Sequence, residues 1–103
     1  MSYDEAVQQL LMEPDVKMST MMGTPCLRCN GQFMASLFTR GEGLIIKVAP
    51  ERVNELIDQG TGVEFNFTKK RFKEWVIIPL DYESEYEIFM REALEYARLK
   101  TNF

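Results

Sequence analysis

The sequence predicts an α+β domain of two layers, an antiparallel sheet carrying helices, in the order helix, three strands, helix, two strands, helix. Three observations carry that prediction. Two S-x-x-E capping boxes, Ser2 to Glu5 and Ser84 to Glu87, each open an apolar stripe of helical period. Segments of two-residue apolar alternation lie between them. Residues 72–79 read Phe-Lys-Glu-Trp-Val-Ile-Ile-Pro. Extended, this segment puts Trp75, Ile77 and Pro79 on one side and Val76 and Ile78 on the other, so it reads as a strand interior to the sheet.

Taken in order, Ala6, Val7, Leu10 and Leu11 follow the first capping box at helical spacing until Pro14 stops the run. Residues 18–29 read as one edge strand, irregular around Pro25, because proline cannot donate to a central ladder. Asn30-Gly31 is a type I′ hairpin signal leading into a second strand, in which Phe33, Ala35 and Leu37 alternate with Met34, Ser36 and Phe38. Gly41-Glu42-Gly43 turns the chain into a third strand over residues 44–48. Pro50 has the preset φ of a first helical position, Val53, Leu56 and Ile57 form an inward stripe, and Gly60 sits where a left-handed cap belongs.

Val63, Phe65 and Phe67 alternate with Glu64, Asn66 and Thr68 in a fourth strand. Lys69-Lys70-Arg71 marks a solvated turn before the fifth. The last helix buries Tyr86, Phe89, Met90, Ala93, Leu94 and Ala97 and pairs Glu87, Arg91 and Glu95 outside. Trp75 is expected beneath it. The sheet thus has five strands.

At 103 residues the chain suits a single domain over residues 1–103. Its hydrophobic fraction of 46% and charged fraction of 27% are those of a soluble globular protein, with no run of about 20 apolar residues for a membrane span. The polar, acidic start lacks a secretory signal and the two cysteines cannot build a disulfide framework, so the protein reads as cytoplasmic. A net charge of −4 opposes whole-surface attraction to nucleic acid or anionic lipid.

Histidine is absent. That removes Ser-His-Asp and Cys-His nucleophile pairs and imidazole metal ligation, so Ser19, Thr20, Ser36 and Thr39 have no base to activate them and no catalytic residue is assigned. Cys26-Leu27-Arg28-Cys29 has C-x-x-C spacing, but it enters a hairpin rather than a helix N-terminus, and positions i and i+3 of a strand face opposite sides. With no second pair in a monomer, Cys26 and Cys29 read as ordinary reduced cysteines and no metal or cofactor is expected. A two-fold dimer that brings two such pairs together is the one arrangement that would supply a metal site. Met18, Met21 and Met22 read as core filler rather than soft metal ligands. Asp81, Glu83 and Glu85 suit a helix start better than a cation. Lys69, Lys70, Arg71 and Lys73 around Phe72 form a basic cluster with an interleaved aromatic, suited to weak contact with a nucleic acid, though Glu64 and Glu74 flank it.

The landmarks Met21-Met22-Gly23, Gly31-Gln32-Phe33-Met34-Ala35, Leu44-Ile45-Ile46-Lys47-Val48, Gly60, the segment from Trp75 to Pro79 and the closing helix through Ala97, in this order, resemble the N-terminal domain of TfoX, the bacterial competence regulator, and more distantly the YjbR-like proteins. The likeness implies a fold of the secretion-chaperone-like group and no agreed catalytic residues. It places this chain among stand-alone domains, the competence role belonging to a longer two-domain relative. The expected function is therefore a non-enzymatic macromolecule-interaction or regulatory module. Residues 33–38 and 44–48 are apolar on both faces, so Met34, Phe38 and Ile45 are candidates for a surface that meets a protein partner or, in a symmetric homodimer, a second copy. The alternatives are a weak nucleic-acid binder acting through Lys69 to Lys73, and a small-ligand or metal-binding protein.

Overall fold

A computed structural model of the chain describes residues 2–21, 23–38, 43–67 and 70–101, with the side chains of Phe38, Phe67, Lys70, Arg71 and Thr101 outside the description. The elements are α1 (Tyr3–Leu10), β1 (Val16–Met21), β2 (Thr24–Cys29), β3 (Gln32–Phe38), β4 (Gly43–Lys47), α2 (Pro50–Asp58), β5 (Val63–Phe67), β6 (Lys70–Ile78), a 3-10 turn (Leu80–Glu85) and α3 (Tyr86–Thr101). The strands form one antiparallel sheet in the order β1-β2-β3-β4-β6-β5. All three helices pack on one face of it, their buried residues joining a single core with Leu27, Met34, Leu44, Ile46, Val76 and Ile78. The chain is thus α+β and two-layered, and β6, apolar on both faces, is interior as its sequence requires.

The sheet has six strands where the sequence suggested five. Residues 18–29 are not one strand: Met21 pairs with Thr24, and Gly23 between them has φ +80. Counting from this two-residue turn, Met21–Thr24 and Ser19–Cys26 are the hydrogen-bonded pairs and Thr20–Pro25 is not. The missing N–H of Pro25 therefore removes no bond between β1 and β2, and its carbonyl accepts from the Ser36 hydroxyl at 2.9 Å. The next turn is the expected one, with Asn30 at φ 50, Gly31 at φ 85 and Cys29 opposite Gln32. Gly41 and Glu42, placed by sequence in the turn into β4, lie outside the described residues, as do Thr39 and Met22.

Helix α1 starts as its sequence dictates. The Glu5 amide donates to Ser2 Oγ at 3.2 Å and the Ser2 amide donates to Glu5 Oε1 at 3.3 Å, closing the capping box. Pro50 opens α2, and the Gly60 and Thr61 amides donate to the Ile57 and Leu56 carbonyls, the paired bonds of a Schellman end. The second capping box does not open its helix. The chain is already in a 3-10 turn from Leu80 and enters α3 at Tyr86. The buried stripe of α3 is the expected one, and the Tyr86 hydroxyl donates to the Ile78 carbonyl at 3.1 Å.

A second cluster, Cys26, Phe33, Ile45, Phe65 and Ile77 with Met21, Phe72 and Trp75 packed against it, occupies the face that carries no helix. Trp75 belongs here, on the opposite side of the sheet from α3, because Val76 and Ile78 take the helix side. Two register breaks decide what else faces which way. Between β2 and β3, Leu27 pairs with Ala35 but Arg28 with Phe33, so Met34 is the extra residue of a bulge. Met34 and Ala35 both join the helix-side core while Phe33 turns to the other face. Between β5 and β6, the step from Glu64 to Asn66 is matched by the longer step from Val76 to Arg71, and the odd excess puts Phe72 on the side of Trp75.

Candidate binding face

The helix-free face is built by alternate residues of each strand. Lys17, Ser19 and Met21 come from β1, Cys26 and Arg28 from β2, Phe33 from β3, Ile45 and Lys47 from β4, and Phe72, Trp75 and Ile77 from β6. Pairing sets Lys17 opposite Arg28 and Arg28 opposite Phe33, and Lys47 opposite Trp75. The Phe33 ring reaches over β4 to stack on Trp75, with centroids 4.4 Å apart and planes 14° from parallel. Phe65 and Phe72 lie 5.2 Å from the same indole and meet each other edge-on at 5.4 Å. Phe33, Phe65, Ile45 and Ile77 are buried by this packing, and Met21, Phe72 and Trp75 stay half-buried at its surface.

Charge separates the two layers. Lys17, Arg28 and Lys47 stand on the helix-free face, and among the described residues none of the three is in an ion pair. The two described strand carboxylates are on the other side. Glu64 pairs opposite Val76 of the helix-side core, and Glu74 accepts from the Tyr96 hydroxyl of α3 and lies 3.0 Å from Lys100 Nζ. Burial would raise the Glu74 carboxyl, but Tyr96 and Lys100, with the nearby charge of Lys47, outweigh it and hold the group below its ordinary value.

In the helical layer every described cation already faces a carboxylate. Arg52 forks onto Glu92 at 2.8 and 3.1 Å and also binds Glu55, Arg91 pairs with Glu87 at 2.9 Å, and Arg98 holds Asp15 and Glu13. What remains there is surplus acid: Asp4, Glu51, Asp58, Asp81, Glu83 and Glu85. Among the described residues, acid predominates on the helices and basic side chains on the open sheet face.

At the β1 edge of the sheet, where the two faces meet, a shallow concavity of about 320 Å³ is lined by Pro14, Asp15, Lys17, Met18, Ser19, Arg28, Asn30 and Gly31. Arg28 is fixed there by neutral oxygens. Its Nε donates to Ser19 Oγ at 3.2 Å, Nη1 to the Gly31 carbonyl at 3.1 Å and Nη2 to the Thr20 carbonyl at 3.4 Å.

The residues singled out by sequence fall as follows. Cys26 and Cys29 are fully buried, free, and on opposite faces, one in each cluster. Burial pushes both thiols up. The Cys29 thiol also donates to Asp15 at 3.4 Å, next to a negative charge that raises it to about 11, while Arg28 works against the rise at Cys26. Among the described residues no group of three or more Cys, Asp and Glu could hold a metal ion, and Asp81, Glu83 and Glu85 belong to the 3-10 turn.

Met34 is 0% and Ile45 5% exposed, Met34 in the helix-side core and Ile45 in the aromatic cluster. Phe38 has its backbone in β3 and its side chain outside the description. Lys69 lies outside the described residues, Lys70 and Arg71 are described only as backbone of β6 rather than of a turn, Phe72 packs into the aromatic cluster and Lys73 is exposed. The pair missed by sequence is Lys17 with Arg28. Its signal was Gly23: once the chain is known to reverse there, register places the two cations side by side.

No helix among the described residues is long and apolar enough to cross a membrane. Comparison of the chain with protein families, with curated proteins and with solved structures returns no match to any of them.

Proposed function

We propose that this chain is a non-enzymatic binding module that docks an acidic protein partner on its helix-free sheet face. One observation carries the reading: among the described residues the cations Lys17, Arg28 and Lys47, none of them in an ion pair, share that face with the half-buried Trp75 and Phe72, while the strand carboxylates Glu64 and Glu74 lie on the other side. Charge of one sign around an aromatic centre is the make-up of a steered interface, in which rim charges set the encounter rate and aromatic anchors the lifetime. A two-fold pairing of two such faces would set cation against cation, so a separate acidic partner fits better than a second copy. The resemblance to the TfoX N-terminal domain is consistent with a regulatory module of this kind, and kinship with that family is part of the proposal.

Nucleic acid is the second reading, favoured by the same combination of cations and aromatic rings. The Phe33 and Trp75 rings already stack on each other, which leaves less ring surface for bases. Titrating Trp75 fluorescence with a glutamate-rich peptide and with a single-stranded oligonucleotide of equal charge separates the two. Salt-sensitive binding of the peptide, weakened by Lys47→Gln, is expected. Tighter binding of the oligonucleotide would give the face to nucleic acid, and no response to either would remove the proposal.

A further inference from the structure

Like charges directly opposite on neighbouring strands repel. The Lys17–Arg28 pair accepts that repulsion on a protein with 16 carboxylates, none of which among the described residues is paired with either cation. Arg28 is also held still. Three of its five N–H groups are spent on Ser19, Gly31 and Thr20 oxygens, which position the guanidinium without neutralising it and leave at most two donors. Lys17 is exposed and retains three. The one carboxylate on the concavity, Asp15, is already satisfied. Its oxygens accept from Arg98 at 2.8 and 2.9 Å and from the Cys29 thiol, so its charge is offset from behind.

From this geometry we infer that the concavity between Lys17 and Arg28 binds a phosphate group, either free or esterified to a small metabolite. Two cations line one concavity, matching a dianion better than a carboxylate. Arg28 supplies fixed donors and Lys17 a mobile point charge, the complementary ways the two side chains hold phosphate. Ser19 and Asn30 line the same concavity, whose walls at Pro14 and Met18 are apolar and could take the body of an ester. The bound anion would remove the repulsion that the empty pair sustains.

The test is an amide-shift titration by nuclear magnetic resonance with inorganic phosphate, glycerol phosphate and acetate at constant ionic strength. Phosphate is expected to move Lys17, Ser19, Arg28, Asn30 and Gly31 together and saturably, acetate much less. The exposed Lys17→Gln should weaken phosphate by about tenfold or more. Equal affinity for the two phosphates assigns free phosphate as the occupant, and tighter glycerol phosphate assigns an ester. Lys17→Gln should also unfold, without phosphate, at or above the wild-type temperature. Unsaturable shifts spread equally over Lys47, Lys73 and Lys100, acetate matching phosphate, a variant that titrates like the wild type, or a variant that melts lower would each overturn the proposal.

Discussion

Two glycines with positive φ show how one residue can carry very different weight. At Gly23 a Cβ would meet nothing within 4 Å, so Gly23→Ala should cost only the left-handed backbone strain, about 1–2 kcal/mol. At Gly43, with φ +138, a Cβ would fall 2.2 Å from the Ile78 carbonyl oxygen and 2.9 Å from its carbon. Alanine there must push β4 from β6 in the middle of the sheet. Gly43→Ala should therefore cost about 3 kcal/mol or more, read as a lowered urea midpoint. Equal losses at the two sites would mean that the β4–β6 approach is looser than described. The cysteines give a second residue-scale expectation. With both thiols fully buried and shifted upward, iodoacetamide should leave Cys26 and Cys29 unmodified in the folded protein at neutral pH and label them on unfolding. Rapid labelling of the native protein would contradict their burial.

Among the elements, the segment between α1 and β1 is tied to α3 by Arg98, which binds Asp15 and Glu13 far away in sequence. The Arg98 guanidinium holds the Asp15 carboxyl at about 2, below its ordinary 3.8. A depressed acid stabilises the fold above its unfolded pKa, and the contribution is lost as pH falls through the folded one. The clamp's share of stability should be complete above pH 3.8 and gone as the pH falls through about 2. Arg98→Gln should lower stability at neutral pH and flatten this acid limb in denaturant titrations; an unchanged limb would show that the clamp adds nothing.

Elements also mark where sequence reading succeeded and where it stopped. The Ser2 capping box, the Asn30-Gly31 turn, Pro50 and Gly60 at the ends of α2, and the α3 stripe were legible because each is fixed by neighbours a few residues away. The β1–β2 turn was hidden because Pro25 reads as a strand breaker, and only its place in a non-hydrogen-bonded pair makes it harmless. The bulge at Met34 and the break within β6 are set by pairing partners, so alternation placed Phe33 with Ala35 when the fold puts them on opposite faces. Trp75 was correctly opposed to Val76, but alternation does not say which side receives the helices.

At the scale of the whole molecule, the net charge of −4 conceals, among the described residues, a division between an acidic helical layer and a basic, aromatic sheet face. That division is invisible in composition because it depends on which layer each charge joins and which cations already hold carboxylates. Sequence drew attention to the basic cluster around Phe72, whereas the fold adds Lys17, Arg28 and Lys47 from three separate strands. The central claim is that this face receives the partner. Amide and indole shifts of the protein titrated with a glutamate-rich peptide at low salt test it most directly. The account predicts shifts confined to Lys17, Arg28, Lys47, Phe72 and the Trp75 indole, fading as salt rises. Shifts centred on α1, α2 or α3, with the Trp75 indole unmoved, would contradict it.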